Sequence, residues 1–165
     1  MRTVLILICV GTVSTLIMDI ASAVSRVYDL TAGVPPSLVG KWLESAIRGR
    51  FIVDDIRISS GGAVPIARVL VYHYIIGIIL TANFYIIVLW LKLTDISWWA
   101  PLFYGVLTTL IPSLLMFPGM GFGFFGSSGP QEYLLMRTAA VNHLFFGFGM
   151  AITFPVALKM LERKQ

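Results

Sequence analysis

The chain has 165 residues, of which 58% are apolar and 12% charged, with a formal net charge of +4. That charged share is about half of what a soluble domain carries, and so much apolar surface cannot be hidden inside a water-soluble fold of this size. So small a positive charge is no nucleic-acid signal, and a lone cysteine excludes an intramolecular disulfide.

Four apolar runs absorb the excess: Thr3–Ala23, Val69–Leu91, Trp98–Phe117 and Thr138–Leu158. Each has about 20 residues, the length at which a helix crosses the hydrocarbon core. The expected fold class is therefore all-α, a polytopic membrane protein with four transmembrane helices. One membrane domain covers residues 1–165, with the lipid bilayer as its partner. In the first run, Arg2, the apolar Val4–Val10 and the "ASA" of Ala21–Ala23 imitate a secretory signal. The apolar stretch continues well past a signal core, and Ile8 before Cys9 is too large for lipoprotein processing, so the run reads as a retained span.

Between the first two spans lies a long connection, Val24 to Ala67. Within it "SLVGKWLESAIRGRF" repeats Val39, Trp42, Leu43, Ala46 and Ile47 at helical spacing, with Lys41, Glu44, Ser45 and Arg48 on the other side. This predicts an amphipathic helix over Ser37–Arg50, with Ser37 as its N-cap. Two placements suit it. It lies at the headgroup level with Trp42 as anchor and Lys41 and Arg48 toward lipid phosphate, or it covers the end of the bundle. The following "DDIRISSGG" reads as a polar loop.

The connection Lys92–Ser97 is short, which makes spans two and three antiparallel neighbours, and Trp98 and Trp99 fall at a membrane interface. Next comes "FPGMGFGFFGSSGP". Its Gly121–Gly126 fits the glycine fingerprint of dinucleotide sites, but no strand precedes it and no carboxylate lies near Phe145–Gly147, about 20 positions on. Glycines that let the chain pack closely as it dips into the bundle end explain it better. Gly129, Pro130 and Glu132 then open the last helix.

Lys and Arg divide almost evenly between the sides. Arg2, Lys92, Lys159, Arg163 and Lys164 share the terminal side, and Arg26, Lys41, Arg48, Arg50, Arg57, Arg68 and Arg137 the other. The flanks of spans one, three and four favour cytoplasmic termini, while span two opposes them.

Two short motifs recur in order. "GTVSTLI" at Gly11–Ile17 returns as "GVLTTLI" at Gly105–Ile111, and "HYIIG" at His73–Gly77 returns as "HLFFG" at His143–Gly147. A duplicated hairpin follows, one copy over 3–91 with the connection 24–67 and the other over 98–158, related by an axis along the membrane normal. Gly11, Gly77, Gly105 and Gly147 then become helix-packing positions. His73 and His143 fall at one depth, with Asp19 near the same end.

Ionisable groups in hydrocarbon are costly and take partners. Asp19 shares a helix face with Thr12, Thr15 and Ser22. Three readings fit this polar centre: a hydrogen-bonded network that fixes register, a proton or ion relay, or a haem or divalent metal held by His73, His143 and Asp19. Asn83, Asn142, Thr108 and Thr109 either line a cavity or make helix-packing hydrogen bonds. No G-x-S-x-G, H-E-x-x-H, Walker lysine or paired cysteine is present, so no enzyme is expected and no cofactor is required. The expected function is small-ligand or ion handling through the Asp/His centre. The alternatives are an accessory subunit, in a homo-oligomer or a larger membrane complex, and a haem- or metal-binding protein.

Gly11 with Thr15 and Asp19, "VGKW" at Val39–Trp42, "HYIIG", "PGMGFG" and "HLFFG" together resemble a family of small bacterial membrane proteins, domain of unknown function 2938. The resemblance covers nearly the whole chain and implies a four-helix protein of the bacterial inner membrane, with no established activity. Lys41 departs from it, standing where arginine is common in the family. The change keeps the charge but loses planar hydrogen bonding.

Overall fold

A computed structural model describes residues 1–31, 35–59, 62 and 64–162. Arg163 and Lys164 of the charge sorting, and Ser60 and Gly61 of the polar loop, lie outside the described residues. Every regular element among them is helical: α1 Arg2–Val27, α2 Pro36–Ile47, α3 Ile66–Trp90, α4 Trp99–Leu107, a π-helical turn Pro112–Met116, α5 Phe117–Gly119, a 3-10 turn Phe124–Gly126 and α6 Glu132–Glu162. Four segments are long and apolar enough to cross a membrane: Arg2–Val27, Ile66–Trp90, Trp99–Gly119 and Tyr133–Leu161. The first and last helices outrun the apolar runs expected for them, because hydrogen bonding within a helix continues into polar sequence where no proline or glycine stops it.

The third span is not one continuous α-helix. After Leu107 the chain turns at Thr108–Thr109, and Pro112, which has no N–H to donate, begins the π-helical turn. Ser113 Oγ donates to the Thr109 carbonyl at 2.7 Å and occupies an acceptor in this stretch.

The expected N-cap at Ser37 is corrected. α2 starts at Pro36 behind Pro35, without a side-chain cap, because proline at the first turn gives up an N–H that would have had no partner. The helix also ends at Ile47 rather than Arg50. Gly49 takes φ +82°, and the Arg50 N–H returns to the Ser45 carbonyl at 2.9 Å, a Schellman-type stop.

The described chain resolves into two compact units. The first contains Met1–Ala23, His73–Leu107 and the chain from Asn142 onward. Its core is apolar, with Val10, Met18, Phe84, Val88, Phe146, Met150 and Phe154 buried together. Phe84 packs on Phe154 at 4.8 Å between ring centroids and on Tyr104 at 4.9 Å, and the Tyr104 hydroxyl donates to the Leu80 carbonyl at 2.9 Å.

The second unit contains Val24–Tyr72 and Thr108–Val141, with Trp42, Ile56, Phe117, Met120, Phe122, Leu135 and Ala139 at its core. The long connection and the glycine-rich stretch bind each other through main-chain bonds, Val53 N–H to Gly119 O and Ile56 N–H to Met120 O. Gly121 has φ +82°, and a Cβ there would overlap the Asp54 carbonyl, so only glycine fits. Trp42 as a headgroup anchor is corrected too. Its ring is 8% exposed, edge-on to Phe51 at 5.2 Å, and its Nε1–H donates to the Phe51 carbonyl at 2.9 Å. The apolar face of α2 finds protein instead, while Ile47, expected on that face, is exposed.

Candidate functional site

Small residues decide where the charged ones meet. In the first unit Gly11 of α1 lies against Ile78 of α3, with a Cβ on Gly11 falling 2.7 Å from the Ile78 Cα. One turn along, a Cβ on Gly77 would overlap the Thr15 hydroxyl. Moving one further turn, four residues up α1 and four down α3, brings Asp19 opposite His73. Asp19 Oδ1 and His73 Nε2 are 2.9 Å apart, a hydrogen bond joining two apolar spans. Their side chains keep 35% and 36% of their exposure, so the pair stays within reach of a small species from outside the packed core.

Tyr74 completes this cluster and was not singled out from the sequence. Its side chain interacts with the Asp19 carboxylate, and its ring stands edge-on to His73 at 5.9 Å. A tyrosine directly after the histidine of "HYIIG" was the available signal. His143 of α6 lies within electrostatic reach of His73 and is partly buried. Beside it, the Asn142 Oδ1 is buried without a hydrogen-bond partner, as is the Ser14 Oγ in the same unit. Buried polar atoms left unpaired are uncommon and attract water or a ligand.

Other expected members fall elsewhere. Thr15 is fully buried, and its hydroxyl donates to the Gly11 carbonyl of its own helix at 2.8 Å, so it is a packing residue and not part of the polar centre. Thr109 belongs to the second unit, where its hydroxyl is buried and unpartnered. Among the described residues no three His, Cys, Asp or Glu side chains stand close enough to hold a metal ion. The metal reading of Asp19, His73 and His143 therefore does not fit, and His73 Nε2 is already taken up by Asp19. Gly105 and Gly147 meet directly, a Cβ on either running into the backbone of the other's helix.

In the second unit the α2 residues serve local ends. Lys41 Nζ donates to the Ser59 carbonyl, and Arg48 lies 3.5 Å from Glu44, whose other oxygen is held by Arg68 at 2.6 Å. Asp55 takes Arg57 in a bidentate pair, and those guanidinium hydrogen bonds hold its carboxyl below the usual aspartate range.

The chain belongs to the family described as proteins of unknown function, DUF2938, whose model matches residues 8–157. No curated protein and no solved structure matches it.

Proposed function

We propose that this protein is an integral protein of the bacterial inner membrane that handles a proton or small cation through the Asp19–His73 pair. One observation carries the reading: a carboxylate and an imidazole share a hydrogen bond of 2.9 Å between two apolar spans, with both side chains about one-third exposed. Such groups are costly in hydrocarbon and are usually retained for ion or proton pathways. A pair joined this way exchanges a proton at low cost, and Tyr74, His143 and Asn142 supply further polar stations in the same unit. No enzyme activity is part of this reading. The flank charges favour cytoplasmic termini.

The same reading includes a duplicated hairpin, and the glycines support it. A Cβ on Gly77 comes within 3.6 Å of the Gly11 carbonyl, and the corresponding Gly105 and Gly147 abut in the second copy. In the first copy the closest partners of Gly11 and Gly77 are Ile78 and Thr15, while in the second the two glycines meet each other.

The test is proton movement. The full chain is reconstituted into liposomes with a pH-sensitive dye inside and a potassium diffusion potential across the bilayer. Wild type should shift internal pH faster than protein-free vesicles. Asp19→Asn and His73→Gln should fall to the protein-free rate while still inserting and eluting as wild type does. Wild-type flux equal to that of protein-free vesicles overturns the reading. A second reading, an accessory subunit in a homo-oligomer or larger complex, is favoured by the cluster of buried apolar side chains in the first unit. Copurifying chains would support it.

A further inference from the structure

Independent of ion handling, the second unit contains a charged cavity of about 340 Å³ that neither polar centre nor helix packing uses. Lys41, Glu44 and Arg48 of α2 and Arg50, Asp54 and Ser59 of the connection line it. Glu44 is already paired with Arg68 and Arg48, and the Lys41 ammonium donates to a carbonyl rather than a carboxylate. Among the described residues Arg50 and Asp54 have no ion-pair partner. The lining therefore offers Arg50 without an ion pair, Lys41 on a carbonyl and Arg48 at 3.5 Å from a Glu44 that Arg68 also holds, beside one carboxylate without an ion pair. Ile52 of its lining is 78% exposed, and Ile47 and Ile58, near the lining residues in sequence, are 70% and 85% exposed, exposure expected of a surface that touches lipid rather than water.

We infer that this cavity seats a headgroup carrying a phosphate and a primary ammonium, as in phosphatidylethanolamine. Arg48 and Arg50 hold the phosphate, because a guanidinium fork matches its oxygens. The ammonium goes to Asp54, the lining carboxylate without an ion pair among the described residues. Ile52 takes the start of an acyl chain. A quaternary ammonium fits worse, since it cannot donate hydrogen bonds to Asp54, and a glycerol headgroup offers that carboxylate hydroxyl donors but no positive charge.

The delipidated full chain in detergent is mixed with dioleoyl phosphatidylethanolamine, phosphatidylglycerol or phosphatidylcholine, and bound lipid is counted by native mass spectrometry. Wild type should retain phosphatidylethanolamine best. Asp54→Asn should remove that preference by about tenfold, the effect of one lost hydrogen bond to a charged group, and leave phosphatidylglycerol unaffected. Arg50→Gln should weaken both lipids together. Because both side chains project from the connection, melting temperatures near wild type confirm that folding is retained. Equal retention of the three lipids overturns the inference, as does a preference for phosphatidylglycerol or a preference that survives both substitutions. Soluble glycerophosphoethanolamine supplies the remaining arm. Displacement of the lipid by it assigns the same chemistry to a free phosphate compound, and no displacement assigns it to the bilayer. None of these outcomes depends on proton flux.

Discussion

Gly105 and Gly147 stand so close that a Cβ on Gly105 would overlap the Cα of Gly147 and lie 2.8 Å from the His143 carbonyl. Backbone cannot yield as the end of a flexible side chain can, so α4 and α6 must separate to admit a methyl group. Gly105→Ala should cost about 1–3 kcal/mol, the usual range for overpacking a well-filled contact. Gly62→Ala is the control, since a Cβ there meets nothing within 4 Å. Thermal unfolding in detergent checks both, and equal melting temperatures for the two variants would remove this contact as a stabilising element.

Those glycines were legible as packing positions because they recur in two paired motifs on the apolar runs, Gly11 with Gly105 and Gly77 with Gly147. Four spans were legible for the same elementary reason, a run of about 20 apolar residues that has no other use. The opening of the last helix at Glu132 was legible from Gly129 and Pro130, but the end of α1 was not, since hydrogen bonding carries it on to Val27. Span three breaks at Pro112, and its π-helical turn depends on where the freed carbonyls find donors, which no spacing reveals. Asp19 and His73 could be placed near one end. That they touch depends on register, set by Gly77 against Thr15. The hydroxyl of Thr15 looked polar in sequence and proves to be satisfied within its own helix. Trp42 shows the limit most clearly. Amphipathic spacing tells which side of α2 is apolar and says nothing about whether lipid or protein covers it.

Trp42→Phe follows from that burial. The change removes one ring of the indole together with its N–H, and the part-buried Phe51 carbonyl loses its donor, at about 0.5–1.5 kcal/mol for the hydrogen bond. Trp42→Ala should cost about 3–5 kcal/mol through the cavity it leaves. Membrane association should not change in either variant, as the ring does not reach lipid. Sedimentation with membranes, run beside thermal unfolding, separates this outcome from an anchoring role.

Asp55 gives a pH dependence whose sign is set by its partner. Arg57 lowers the folded-state pKa of the carboxyl below its ordinary 3.8, so the unfolded chain takes up the proton first. Stability from the pair is present above that ordinary value and lost as pH falls below it. Both ends are exposed, so the effect is small and salt weakens it further. Asp55→Asn should flatten the acid limb of the melting-temperature profile below about pH 4, the range set by the aspartate reference value. An unchanged limb would assign acid sensitivity to other carboxylates.

Asp19 separates a structural centre from a functional one. Asn at this position still hydrogen-bonds His73 and brings no charge to desolvate, so Asp19→Asn should fold and insert with stability near wild type. Leu cannot pair with either His73 or Tyr74, and each unpaired polar group should cost about 1–3 kcal/mol. Asp19→Leu is therefore expected to melt well below Asp19→Asn. Proton movement discriminates further. An amide cannot take up the proton that a carboxylate exchanges with imidazole, so Asp19→Asn should abolish flux in liposomes while remaining folded. If flux persists in Asp19→Asn and only Asp19→Leu fails, the pair serves to hold α1 in register with α3 and carries no proton. If neither substitution changes stability or flux, the hydrogen bond between Asp19 and His73 contributes to neither.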